Sequence, residues 1–316
     1  MLPPSPRLGV HLPLGTGLLR AASRAAEIGA DTIQVFVDNP TAWKRRAAPP
    51  RKLDEFRARM EELGIRPVTV HASYLVNLAG PDPSFRRSSI DVLASDLRAA
   101  AGYGATIVNV HTGSHRDTSV EEGLARVAEG VARTLEAAGD DGAGARLALE
   151  NAAGGGHSVG VTIDELARIA ELGARHGVPT SRLGFCLDTA HAWGAGARLD
   201  EPEGVNAWLA EFDEKVGLDR LLMVHLNDSR DERGGRHDRH EHIGAGRIGP
   251  KGLGHLLRHP ALRGVPCLVE TPGMDEGYDA INLARCRALL AGQELEALPE
   301  AAFHVSSSGH RSAAPD

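Results

Sequence analysis

Six apolar runs along this 316-residue chain each stop on a side chain that can bind a metal: PVTVH on His71, TIVNVH on His111, RLALE on Glu150, GFCLD on Asp188, LMVH on His225 and PCLVE on Glu270. Side chains alternate between the two faces of a strand, so the residue before each of these must point the other way. Those residues are Val70, Val110, Leu149, Leu187, Val224 and Val269, all large aliphatics. One parity rule therefore covers six segments. Polar ends turn into a barrel and aliphatics turn outward onto helices, as a closed parallel barrel requires.

Two further strand and helix units make the repeat eightfold: LGVH at 8–11 followed by LLRAASRAAEIG, and TIQVF at 32–36 followed by KLDEFRARMEELG. Between the six ligand-bearing runs, FRRSSIDVLASDLRAAAGYG, VEEGLARVAEGVARTLEAAG and IDELARIAELGARHG carry apolar residues at helical spacing, and several close on glycine. Strands alternating with helices predict a parallel sheet, and eight units predict closure. The expected fold is an α/β TIM (β/α)8 barrel forming one domain over 1–290. A C-terminal extension follows over 291–316, ending in a mobile tail, SSSGHRSAAPD. Residues 227–249, NDSRDERGGRHDRHEHIGAGRIG, form a long polar loop of the kind that is usually functional or disordered.

Prolines in MLPPSPRLGV stand where a signal peptide would have its apolar stretch, and no apolar run reaches membrane-spanning length. The expectation is a soluble, cytoplasmic protein with no membrane partner. Cys186, Cys267 and Cys286 are odd in number and form no CxxC pair, which argues for packed, reduced thiols.

Strand ends of such a barrel converge on its C-terminal mouth, where residues far apart in sequence can share a metal. Histidine and carboxylate together suit zinc or a related divalent ion. Three more candidates lie nearby in sequence: His191, three residues after Asp188, and the pair Asp238 and His240, which face one side of an extended loop. Nine ligands exceed one tetrahedral ion but suit a cluster of three in which one carboxylate bridges two. His115, His157, His176, His255, His259, His304 and His310 are assigned nothing, and a structural role accounts for His11 as well as a site role does. GAGRIG at 244–249 matches GxGxxG, but it follows a charged loop rather than a strand and is discounted as a dinucleotide site.

At these residues the chain resembles the endonuclease IV family of apurinic/apyrimidinic endonucleases. The segments that carry the resemblance are HASYLVNLAG, NVHTGSH, LENAAGGG, CLDTAHAWGAG, VHLNDS, DRHEHIGAGRIG and VETPG, which span most of the chain. The resemblance implies three zinc ions per chain and cleavage of double-stranded DNA on the 5′ side of an abasic site, leaving a 3′-hydroxyl. It extends to removal of 3′-blocking groups. Position by position it gives His71, His111 and Glu150 to one zinc. Glu150 bridges to a second, shared with Asp188, His225 and Glu270, and His191, Asp238 and His240 take the third. A three-zinc hydroxide mechanism follows, with Glu150 and Glu270 as the catalytic carboxylates orienting the nucleophile. Tyr74 and Leu75 correspond to residues that push into the DNA stack at the lesion.

The formal net charge of −7 looks wrong for a DNA binder, yet three divalent ions would bring it to about −1 and make the mouth itself cationic. Lys44, Arg45, Arg46, Arg116, Arg230, Arg236, Arg239 and Arg247 lie in loops expected near that face, with Arg239 the foremost phosphate contact. Two positions depart from the family pattern. Thr41 stands where an arginine often reaches into DNA, which passes that grip to Lys44 or Arg45, and Ala152 stands in place of a threonine. The rival reading is a metal-dependent sugar isomerase or epimerase, which uses Glu150, Asp188, His225 and Glu270 but leaves His191, Asp238, His240, Tyr74 and Leu75 unexplained. A monomer is expected.

Overall fold

In the computed structural model, which describes residues 5–305, each barrel strand leads to a helix, after the seventh only beyond a short antiparallel pair. In chain order the elements are β1 (Arg7–His11), α1 (Leu18–Glu27), β2 (Thr32–Val35), α2 (Leu53–Glu62), β3 (Val68–His71), α3 (Pro83–Ala100), β4 (Ala105–His111) and α4 (Val120–Ala138). They continue with β5 (Arg146–Glu150), α5 (Ile163–Arg175), β6 (Leu183–Asp188), α6 (Thr189–Gly194), α7 (Pro202–Lys215) and β7 (Leu221–His225). The last are β8 (Asp228–Ser229), β9 (His240–Glu241), α8 (Gly249–Arg258), β10 (Pro266–Val269) and α9 (Tyr278–Leu290). Among the described residues eight parallel strands close into a barrel in the order β1-β10-β7-β6-β5-β4-β3-β2, and β8 and β9 form a separate antiparallel pair. The fold is the TIM barrel expected from the repeat. Two strands end one residue early, at Val35 and Val269, so that Glu270 sits just past the last strand.

Parity holds where it was read. Val70, Val110, Leu149, Leu187, Val224 and Val269 are at most 1% exposed and belong to the main apolar core, together with the helix residues that cover the barrel. Two residues before a ligand, the inward positions Ala148, Cys186, Met223 and Leu268 join Ile107 and Leu222 in a second, separate cluster that fills the barrel. On β6 the interior is tight: a Cβ added to Gly184 would lie 2.6 Å from the Arg220 carbonyl oxygen, where the register with β7 shifts. Only glycine fits that approach.

Helix starts follow local chemistry. The Asp82 side chain caps α3 by accepting from the Ser84 and Phe85 N–H groups ahead of Pro83, and Ser119 with Glu122 forms a capping box on α4. The stretch after α9 is held against the barrel. Arg285 Nη1 donates to the Glu296 carbonyl oxygen at 2.5 Å, His242 Nε2–H donates to that of Ala302 at 2.8 Å, and Ala302 is buried. The tail expected at SSSGHRSAAPD lies outside the described residues. Among the described residues no helix is long and apolar enough to cross a membrane.

Candidate metal centre

His71, His111, Glu150, Asp188 and His225 close β3, β4, β5, β6 and β7, and Glu270 follows β10, so all six stand at one rim of the barrel. Among the described residues four groups of ligand atoms lie within 4.8 Å of one another: His71 with His111 and Glu150, Asp188 with His225 and Glu270, Asp188 with His191 and His240, and Glu150 with Cys186 and His225. Glu150 links the first two. Its Oε2 is 3.3 Å from His111 Nε2 and 3.9 Å from His71 Nε2, while its Oε1 is 3.2 Å from His225 Nδ1. Asp188 Oδ2 lies 3.9 Å from His225 Nδ1 and 3.7 Å from His240 Nε2, which places it between the second and third groups. Asp238 reaches the third group too, with Oδ1 2.9 Å from His240 Nε2 and Oδ2 3.3 Å from His191 Nε2. The nine candidates therefore share one basin.

Local structure explains how distant residues arrive there. Asp188 ends β6 and also caps α6, accepting from the His191 N–H at 2.9 Å, so the DTAH spacing is that of a capped helical turn. The polar stretch 227–249 is not wholly irregular. Ser229 pairs with His240 in the β8 and β9 ladder, and the Gly234 and Arg236 N–H groups donate to the Trp193 and Gly194 carbonyl oxygens on α6. GAGRIG wraps an internal anion: the buried Asp228 carboxylate accepts from the N–H groups of Gly246, Ile248 and Gly249 at 3.0 to 3.3 Å. No side chain could replace Gly246, because its Cβ would meet the Ser229 carbonyl oxygen and the Asp228 carboxylate.

The imidazoles are oriented by groups behind them. A carbonyl oxygen only accepts, so the Nδ1 atoms of His71, His191 and His240 carry their protons and donate to Ala72, Asn151 and Glu270 at 2.7, 2.8 and 2.8 Å. Each thereby turns Nε2 towards the basin, the arrangement by which metal-binding histidines are held. His71 Nε2 is buried with no hydrogen-bond partner. An orphaned lone pair beside carboxylate oxygens fits a divalent cation.

Charge makes the same demand. Burial would raise Glu150, but His225 and His111 carry it well below the usual carboxylate range, and His191 and His240 do the same to Asp238. His225 is driven well above the imidazole range despite its burial, by Cys186, Glu270 and Glu150. His191 is driven likewise by Asp188 and Asp238, and His240, next to Asp238, rises to about 9. Burial and His111 push His71 down to about 3. In the metal-free chain, protons on imidazoles balance the buried carboxylates, and divalent ions can take over that role.

The sequence left His11 open, and the structure sets it against Glu270; Gln34, Asn109 and Asn227 escaped the sequence reading. Gln34 and His11 touch Glu270, Asn109 donates to Glu150 Oε2 at 2.5 Å, and Asn227 donates to Asp188 Oδ2 at 2.8 Å. Their signal was the parity rule itself: Asn109 stands two residues before His111, and Gln34 is a lone amide inside an apolar strand.

The expected DNA contacts divide. Tyr74 and Leu75 are half-buried rather than exposed, and the Tyr74 ring packs edge-on to Phe36 at 5.1 Å and tilted on His71 at 5.4 Å. Burial, then Glu270 and Glu150, hold the Tyr74 phenol above its usual range, so it stays neutral. Arg239 is exposed at the rim, 3.4 Å from Asp231. Arg45 is not available to replace the missing arginine at Thr41, because its guanidinium is taken by Asp96 at 2.8 and 3.0 Å. Lys44 remains exposed. Nothing in the structure explains Ala152.

A family model described as "Xylose isomerase-like TIM barrel" matches residues 22–299. A "Probable endonuclease 4" from Methanoculleus marisnigri is 41% identical over 283 residues, covering 89% of this chain and 98% of that protein. Endonuclease IV from Thermus thermophilus superposes with a TM-score of 0.77 at 38% identity, over 91% of this chain and 100% of that one. A D-tagatose 3-epimerase-like protein reaches a TM-score of 0.68 at 20% identity, over 90% and 97%, a likeness of fold alone.

Proposed function

As the chain belongs to the endonuclease IV family of xylose isomerase-like TIM barrels, we propose that it is a DNA-repair apurinic/apyrimidinic endonuclease. Its substrate would be double-stranded DNA with abasic sites or blocked 3′ ends, incised 5′ to the lesion to leave a 3′-hydroxyl. The observation that carries this reading is the meeting of nine His, Asp and Glu side chains in one basin, with Glu150 facing two groups through its two oxygens.

Three zinc ions would be held by His71, His111 and Glu150; by Glu150, Asp188, His225 and Glu270; and by His191, Asp238 and His240. Bound there, such ions lower the pKa of water towards neutrality and neutralise charge developing on phosphate. The chain's own part is to hold and orient. Glu150 and Glu270 accept hydrogen bonds from the attacking water and fix its direction, and Asn109 and Gln34 steady those carboxylates. Tyr74 and Leu75 occupy the gap where a base is missing, since abasic DNA has lost stacking and distorts at lower cost. Arg239 contacts phosphate. The enzyme acts as a monomer in the cytoplasm, on the nucleoid.

The test is incubation of the zinc-loaded chain with a duplex carrying one tetrahydrofuran abasic analogue, alongside EDTA and intact-duplex controls. Incision 5′ to the analogue, abolished by EDTA, is the expected result. No incision by a chain holding three zinc ions, or isomerisation of ketoses instead, would overturn the reading.

A further inference from the structure

Gln34 lies on the inward face of β2, fully buried, and its carboxamide touches three ionisable side chains of the mouth. Its Nε2 is 2.7 Å from Glu270 Oε1 and 3.0 Å from His11 Nδ1, and its Oε1 is 3.0 Å from His225 Nε2. The orientation of an amide is set by its partners. A carboxylate in this basin is an acceptor, so the NH2 end must face Glu270 and the oxygen must face His225. An amide oxygen cannot donate. His225 must therefore carry a proton on Nε2, which makes Nδ1, facing Glu150 Oε1 (3.2 Å) and Glu270 Oε2 (3.4 Å), the nitrogen that gives up its proton to bind an ion. His11 Nδ1 lies on the other side of the same amide nitrogen and 3.4 Å from Glu270 Oε1, so the three groups form one cluster.

We infer that Gln34 is a positioning residue of the metal centre: one amide holds a proton of His225 on Nε2, reserving Nδ1 for the ion, and sets the direction of the Glu270 carboxylate. It is to His225 what the Ala72, Asn151 and Glu270 carbonyl oxygens are to His71, His191 and His240, with the difference that a side chain supplies the acceptor. Because that side chain also donates to Glu270, two ligands of the same proposed ion are set by one residue. This rests on the metal-centre reading above.

Two measurements test it. In nitrogen-15 spectra of the wild-type chain, His225 is expected to show a downfield, slowly exchanging Nε2–H with a cross-peak to the Gln34 amide protons, whether or not zinc is bound. Gln34→Met, which keeps the volume and removes both polar ends, should lose that resonance. It should also release zinc to a chelator about 10- to 100-fold faster while keeping its circular dichroism. A wild-type His225 protonated on Nδ1 and bare on Nε2 would overturn the inference without any variant having to fold. So would a Gln34→Met chain that keeps both the protected proton and the wild-type release rate. The proton is read in the metal-free chain as well, so a failure of zinc loading, which bears on the nuclease reading, is seen separately.

Discussion

The Asp96 carboxylate grips the Arg45 guanidinium through both oxygens, at 2.8 and 3.0 Å, and accepts from the Ser73 N–H at 3.3 Å. One buried group thus joins the β2–α2 loop to the segment after β3 that carries Tyr74. The two loops also meet directly, as the Ser73 hydroxyl and the Tyr74 N–H both donate to the Pro40 carbonyl oxygen, at 2.6 and 3.1 Å.

Burial outweighs Arg45 and raises the Asp96 carboxyl to about 6. A folded value above the unfolded one means that the contribution to stability is complete below the ordinary 3.8 and is lost as pH rises through about 6. The difference in unfolding free energy between wild type and Asp96→Asn should therefore shrink from pH 4 to pH 7, by up to roughly 3 kcal/mol. Denaturant titrations across that window decide it. A difference that grows with pH would mean that the ion pair governs instead. The same variant should raise KM for abasic duplex with zinc content unchanged, since the loops that it loosens lie off the metal ligands.

Removing metal should expose the charge problem of the basin. His240 rises to about 9 without an ion, and His191 and His225 also stand well above the imidazole range. Raised folded values give a contribution that is present below about 6.5 and lost as pH climbs through them. Glu150 and Asp238 are depressed, so their contribution is present above the ordinary carboxylate range and lost in acid. The EDTA-treated chain should thus melt highest between about pH 5 and 6.5 and fall away at pH 9, where added zinc should restore the most. Melting curves that ignore EDTA at pH 9 would contradict this.

Glu270 is a second lever, because Gln34 Nε2–H already donates to one of its oxygens at 2.7 Å. Glu270→Gln is nearly isosteric, but it sets an amide where an acceptor is needed. Circular dichroism should be unchanged, and cleavage should fall by two orders of magnitude or more, in line with loss of a group that orients the nucleophile. Full turnover would remove Glu270 from the chemistry.

The barrel was legible because its inside and outside differ in chemistry: six polar ends each follow an aliphatic that proves to be in the outer core. Most of the basin was legible for the same reason, since strand ends of a barrel converge wherever their residues fall in sequence. Other features left no local trace. The β8 and β9 ladder is two residues a side, too short for any periodicity, and only its closure sets Asp238 and His240 beside His191. Arg45 reads as a free loop cation until α3 brings Asp96 beneath it from 51 residues away. Gln34 and Asn109 were hidden because amides do not titrate and drew no notice among apolar neighbours.

Tyr74 was expected as an exposed wedge, and its half-burial on Phe36 and His71 changes what its removal should do. Tyr74→Ala should cost about 1–3 kcal/mol of stability through lost packing, besides weakening abasic-site binding. Tyr74→Phe should keep both, because the ring and not the hydroxyl fills the space. Paired melting and binding curves separate the two effects. If Tyr74→Phe binds as poorly as Tyr74→Ala, the hydroxyl carries the contact.

Arg239 stands between Asp238 and His240, so in extended backbone its side chain leaves the loop on the opposite side and reaches solvent at the rim. Its ion pair to Asp231, at 3.4 Å, is solvent-exposed on the arginine side and is expected to add under about 1 kcal/mol. Arg239→Ala should therefore leave the melting temperature and zinc content where they are. Binding of intact and abasic duplexes should weaken by a similar factor, because a phosphate contact carries no lesion information. The plot of log K against log salt should flatten by about 1, the signature of one lost phosphate contact. A loss confined to abasic duplex, with the salt slope unchanged, would instead place Arg239 at the lesion.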